Sequence, residues 1–95
     1  WDIYALDLNT SKEMQITTDS ADQINPDVED GVIVWQDKRN GEWDIYVYDL
    51  NAEKEMPICT DPGNQTEPRI SSSRIVWADD RNGDRDIYIY ENYMP

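Results

Sequence analysis

Ile33-Val-Trp-Gln-Asp-Lys-Arg-Asn-Gly-Glu-Trp-Asp-Ile-Tyr46 is followed, 42 residues on, by Ile75-Val-Trp-Ala-Asp-Asp-Arg-Asn-Gly-Asp-Arg-Asp-Ile-Tyr88. The same spacing joins Trp1-Asp-Ile-Tyr4 to Trp43-Asp-Ile-Tyr46. Laid over residues 43–84 without a gap, residues 1–42 match at about half of the 42 positions. The matches include Asp7-Leu-Asn with Asp49-Leu-Asn, Lys12-Glu-Met with Lys54-Glu-Met, Gln23 with Gln65 and Pro26 with Pro68. A period of this length is shared by four-stranded propeller blades and paired-helix repeats, so the local pattern must choose between them. Here the segments are short, β-branched and aromatic, and they are punctuated by Asn-Gly, Pro-Gly and Asp-rich clusters, which is the pattern of strands.

Four strands fit each period: Pro26 to Asp30, Val32 to Lys38, Trp43 to Leu50 and Lys54 to Thr60. Asn40-Gly41 and Asn82-Gly83 predict tight hairpins between the second and third, because both residue types tolerate positive φ. The third strand is apolar on both faces, with Trp43, Ile45 and Val47 on one and Tyr46, Tyr48 and Leu50 on the other, so it must be covered twice. Face-to-face blades do that. Pro57 lacks a donor and belongs on an outer strand. The fold class is therefore all-β: antiparallel four-stranded propeller blades in an incomplete propeller of about two to three blades. Residues 1–22 end a first blade, 23–60 form a complete one and 61–95 supply three strands of another. Propellers usually close with roughly four to eight blades, so the chain is an arc.

Composition narrows the function. The 95 residues hold 8 Lys+Arg against 21 Asp+Glu, a formal charge of −13, which repels nucleic acid and anionic membrane surfaces. With no histidine, imidazole-dependent catalysis is excluded. One cysteine, Cys59, makes neither an intrachain disulfide nor a multi-cysteine zinc site. Four Trp and six Tyr in so polar a chain argue against disorder. The longest apolar stretch, Val32 to Trp35, is far too short to insert in a membrane. The first residues lack a basic segment followed by an apolar one, which predicts a cytosolic chain or an excised mature segment.

The run from Asn25 to Leu50, with its Asn-Pro-Asp turn, hydrophobic strand, Asp37-Lys-Arg-Asn-Gly hairpin and Trp43-Asp-Ile-Tyr46 strand, resembles the TolB-type, WD-like propeller repeat. The Ile-Val-Trp version is similar to tandem propeller repeats of archaeal and bacterial cell-surface, S-layer-associated proteins. The resemblance implies a prokaryotic periplasmic or cell-surface location and a binding or scaffolding role without catalysis. The second copy departs from it: Arg69-Ile-Ser-Ser-Ser-Arg74 lacks the Asp-Gly turn, and Glu91-Asn-Tyr-Met-Pro95 abandons Asp-Leu-Asn.

Several residues carry candidate chemistry. Asp80, Asn82, Asp84 and Asp86 alternate as oxygen donors, the outline of a weak calcium site, although the Gly and distal Glu of an EF-hand loop are misplaced. A hairpin with local Asp/Arg pairing explains them as well. Asp37, Asp44, Asp79 and Asp86, with Arg39 and Arg81, offer either an acid/base pair or ion pairs that fix each hairpin; their recurrence in both repeats favours the second. Trp35, Trp43 and Trp77 are expected to pack between blades, sugar or peptide stacking being the alternative. Gln23 and Gln65 are each expected to make a hydrogen bond that pins the inner strand, with a ligand in a central channel as the alternative. Asn9 and Asn64 head Asn-x-Ser/Thr triplets and could carry glycans.

Hairpins after second strands and crossovers between blades emerge on one side of the ring. That side gathers Asp19, Asp22, Asp37, Glu42, Asp61, Asp79, Asp80 and Asp84, the expected binding surface for a protein or cell-surface component. No cofactor other than calcium is suggested. The propeller part of a larger oligopeptidase-like hydrolase is an alternative, although no Gly-x-Ser-x-Gly elbow is present. A chain this small buries only roughly 60–65% of its unfolded surface. Self-association through exposed blade edges, or dependence on further blades, is therefore expected.

Overall fold

The computed structural model describes residues 1–91 and Tyr93; the closing Asn92, Met94 and Pro95, part of the departure from Asp-Leu-Asn, lie outside the described residues. Among the described residues there are nine strands: β1 (Tyr4–Asp7), β2 (Lys12–Gln15), β3 (Gln23–Glu29), β4 (Val32–Asp37), β5 (Asp44–Asp49), β6 (Lys54–Cys59), β7 (Gln65–Ser71), β8 (Arg74–Asp79) and β9 (Asp86–Tyr90). They form three antiparallel sheets in sequence order: β1-β2, β3-β4-β5-β6 and β7-β8-β9. Among the described residues there is no helix. The architecture is that of incomplete propeller blades.

Strand alternation builds the joints. From β4, Ile33 and Trp35 face the first sheet, where they pack with Ile3, Ile16 and Tyr46. Val32 and Val34 face the third sheet and join Ile45, Val47, Ile70, Ile75 and Trp77. The middle sheet is thus buried on both faces, as the doubly apolar third strand requires. β6 is the outer strand, where the missing N–H of Pro57 costs no ladder bond.

Three local features differ from expectation. The inner strand starts at Gln23, not Pro26, because the chain passes the proline in a bulge: register shifts between Ile24 and Asp27, and Asn25 takes φ 56°. Glu67 repeats this at φ 55° before Pro68. The Asn-Gly hairpins are wider than a two-residue turn. Only Gly41 and Gly83 have positive φ, and the turn closes with Gly41 N–H donating to the Lys38 carbonyl at 3.0 Å. The two-residue turns lie elsewhere, at Asp30-Gly31 (φ 48° and 78°) and, without any glycine, at Ser72-Ser73 (φ 49° and 66°).

Candidate functional site

The hairpin between β4 and β5 is held by a buried carboxylate. Asp37 accepts the Trp35 indole N–H at 2.9 Å, the Arg39 backbone N–H at 2.9 Å, and Arg39 Nε and Nη2 at 3.0 and 2.7 Å. Arg39 also donates to Glu55 at 2.7 Å and lies 4.2 Å above the Tyr46 ring, which stacks on Trp35. Around Asp79 the arrangement recurs with Trp77, Arg81 and Tyr88, while Asp61 takes the place of Glu55 on the guanidinium. Burial pushes Asp79 up, yet the Arg81 and Trp77 hydrogen bonds outweigh it and hold the carboxyl down to about 2. Asp37 is likewise held below the ordinary carboxylate range against the push of burial, and both guanidiniums are raised by their carboxylates. At neutral pH these acids are ionised, and every carboxylate oxygen accepts at least one hydrogen bond. They are latches, with no free oxygen to move a proton.

What remains open lies between the latches. A cleft of about 470 Å³ separates the second and third sheets and is lined by Asn25, Gln36, Trp43, Asn64, Glu67 and Arg85 among others. Trp43 starts the chain segment into β5, its N–H donating to Asn64 Oδ1 at 3.0 Å and Lys38 Nζ standing 4.9 Å from its ring. Gln36 Oε1 accepts from Asn25 Nδ2 at 2.7 Å and from the Glu67 N–H at 2.9 Å, so it ties the two sheets at the cleft floor. Arg85, in the repeat position of Trp43, pairs with Glu67 at 2.6 Å. A second cleft of about 640 Å³, between the first and second sheets, is lined by the equivalent Trp1, Asp22 and Ile24, with Trp43 on its other side.

The fold is similar to that of solved structures. TolB from Acinetobacter baumannii superposes with a TM-score of 0.76 at 26% identity, covering 95% of this chain. The chain is a TolB-like propeller segment. A protein assigned as TolB from Agrobacterium tumefaciens shows the same fold, with a TM-score of 0.70 at 18% identity over 98% of the chain. The segment spans 24% and 31% of those two chains. No family model and no curated protein matches it.

In this TolB-like segment the acidic side is rearranged by burial. Asp37 and Asp79 are 0% and 1% exposed and belong to the latches, which removes them from the expected binding surface. Asp19, Asp22, Glu42, Asp61 and Asp84 are exposed, and Asp80 is half-buried at the first-described cleft. Two of the calcium candidates are engaged within the chain. Asp80 Oδ1 accepts the Asn64 N–H at 2.7 Å, and Asn82 Nδ2 points at the Tyr88 hydroxyl at 3.1 Å. Asp84 and Asp86 are exposed, and among the described residues no three acidic or cysteine side chains gather as metal ligands. Gly63 explains part of this geometry. At φ 91°, a Cβ there would meet Asp80 Oδ1 at 2.7 Å, so only glycine lets the crossover close on that carboxylate.

Two further expectations change. Trp35 and Trp77 are buried between sheets, but Trp43 is only half-buried, at the clefts. Gln23 and Gln65 are 1% and 0% exposed and pin the inner strands through their backbones, donating N–H to the carbonyls of Trp1 and Trp43 at 2.9 and 2.8 Å. Their side-chain amides bond to no described protein atom. Cys59 is buried, its thiol pushed up by that burial, with Arg81 Nη2 at 3.2 Å. Asn9 is exposed, whereas the Asn64 side chain is half-buried and engaged by Trp43. Asn25 and Gln36 have no repeat partner of the same type, their counterparts being Glu67 and Ala78, so the repeat pattern did not point to them.

Proposed function

We propose that the chain is a non-catalytic binding and scaffolding segment of an extracytoplasmic, cell-surface or periplasmic propeller protein. It takes hold of a protein partner at the clefts between its blades. The observation that carries this reading is the cleft around Trp43: a partly buried aromatic ring, exposed Asn25 and the exposed Glu67–Arg85 pair line it above the buried Gln36, while Asp37 and Asp79 are consumed in the latches. A side-chain amide and indole surface suits a polypeptide, for which Trp and Arg are common anchors. The formal charge of −13 favours a partner surface rich in Lys and Arg. The TolB-like fold supports the extracytoplasmic setting, and among the described residues no helix is long and apolar enough to cross a membrane.

Fluorescence anisotropy with labelled peptides tests this. Basic, aromatic-containing peptides should bind and acidic ones of equal length should not, with affinity falling as salt rises. Trp43→Ala should weaken binding about tenfold or more. Equal affinity for acidic and basic peptides, or a Trp43→Ala variant that binds as the parent does, overturns the reading.

A further inference from the structure

Stacking within the chain is directional. β5 sends Ile45 and Val47 to the third sheet and Tyr46 and Tyr48 to the first. Forty-two residues later, the counterparts Ile87 and Ile89 on β9 are 75% and 50% exposed. Forty-two residues earlier, the counterparts of Tyr46 and Tyr48 are Tyr4 and Leu6 on β1, exposed at 56% and 58%. Each open face is thus of the type that covers the other in the internal joints. We propose that two copies of this chain associate head to tail, the Tyr4/Leu6 face of one stacking on the Ile87/Ile89 face of the next.

Two details favour a second copy in this pose over a complete four-stranded blade. At the internal joint, Asp27 and Glu29 accept the backbone N–H groups of Ile70 and Ser72 on the neighbouring inner strand, at 2.9 and 2.6 Å. The counterparts on the open third sheet are Arg69 and Ser71, and a guanidinium accepts nothing. An inner strand stacked there would lose the Asp27-type acceptor. Among the described residues the β1-β2 sheet presents only those two strands, so a second copy of this chain asks nothing of Arg69. Charge agrees: Arg69 and Arg74 rim a groove of about 220 Å³ that includes Val76 and Ile89. Glu13 lies opposite Leu6 in register, on the face that would meet them. A symmetric pairing of two Tyr4/Leu6 faces would instead bring Glu13 toward Glu13. The contact is heterologous, so repeated use closes a ring or extends a filament.

Light scattering behind a sizing column tests the proposal, with the chain at about 100 μM in about 0.15 M salt to screen the like charge of the copies. The parent chain should elute at a multiple of 11.1 kDa. Leu6→Lys and Ile87→Lys each destroy one face. Both positions are exposed, and a far-UV spectrum and melting curve unchanged from the parent confirm that each variant folds. Either variant alone should be monomeric. Mixed, they should form a heterodimer of twice 11.1 kDa, because each retains the face the other lacks. A monomeric parent, a single folded variant that still associates, or a mixture that stays monomeric would overturn it.

Discussion

The indole N–H of Trp35 donates to the carboxylate of Asp37, two residues along the same strand, at 2.9 Å, and Trp77 does the same to Asp79 at 3.1 Å. Side chains two apart share a strand face, so one bond fixes the tryptophan in the blade joint and aims the carboxylate at the hairpin arginine. The latch therefore joins packing and turn closure in one unit. Arg39→Ala should cost about 3–5 kcal/mol, because it strands a buried carboxylate. Arg39→Lys should still destabilise, since an ammonium cannot reproduce the bidentate fork. A double-mutant cycle of Asp37→Asn and Arg39→Gln by urea unfolding should give a coupling of about 0.5–3 kcal/mol. Additive losses would show that the two residues act separately.

Acid should open the second latch. Asp79 is held down to about 2, below its ordinary value near 4, so its contribution is complete above the ordinary value and is lost as pH falls through 4 toward 2. Protonation of the many exposed carboxylates works the other way by relieving repulsion within a chain of formal charge −13. The difference between parent and Asp79→Asn isolates the latch. It should be largest and flat above about pH 5 and shrink steadily below pH 4. A pH-independent difference in urea midpoint would assign the loss to packing.

Asp44 behaves oppositely. Burial raises it, the Asn40 amide offsets part of that, and the nearby charges of Asp37 and Glu42 raise it further. A raised carboxyl favours the fold in its protonated form, so ionisation costs stability as pH climbs through the folded-state value. Asp44→Asn keeps an acceptor for Asn40 and should raise the melting temperature at pH 7. The gain should vanish below about pH 4. A lower melting temperature at pH 7 would contradict this assignment.

Ser73 occupies a left-handed backbone, φ 66°, where the first repeat has Gly31 at φ 78°. A non-glycine residue there costs about 1–2 kcal/mol. The Ser73→Gly variant should therefore gain about 1 kcal/mol, less the extra chain entropy glycine brings to the unfolded state. Thermal melts of parent and variant decide it.

Much of the fold was legible because the chain states it more than once. Repetition at 42 residues, strand-length apolar runs and the covered third strand left few alternatives to stacked blades. The site was harder to read. A residue type repeated in every blade reports what blades share, so it pointed to Asp37, Asp79, Trp35 and Trp77, which hold the latches. The cleft is made by positions that differ between repeats, such as Gln36 and Ala78, or Trp43 and Arg85. No periodic signal marks them. Nor does the sequence show that Asp30-Gly31 and Ser72-Ser73 turn the chain alike, since the second pair accepts strain that glycine would have removed.

Trp35 and Trp43 make the sharpest contrast between repetition and role. Trp35 is 0% exposed, bonded to Asp37 and stacked on Tyr46, so Trp35→Ala leaves a cavity between blades and an unpaired carboxylate lone pair. It should cost about 3–5 kcal/mol. Trp43 is half-buried, and its ring contact with Lys38 is a cation–π pair at the surface, of the kind that contributes about 0.5–1 kcal/mol. Its backbone N–H keeps Asn64 whatever the side chain. Trp43→Ala should therefore cost about 1 kcal/mol or less, and urea unfolding of the two variants should separate them by at least about 2 kcal/mol. Equal losses would place Trp43 in the core of a blade joint and close the cleft as a binding surface. The expected separation would leave the ring available to a partner, since a large aromatic kept only half-buried at little gain in stability is poorly explained by packing alone.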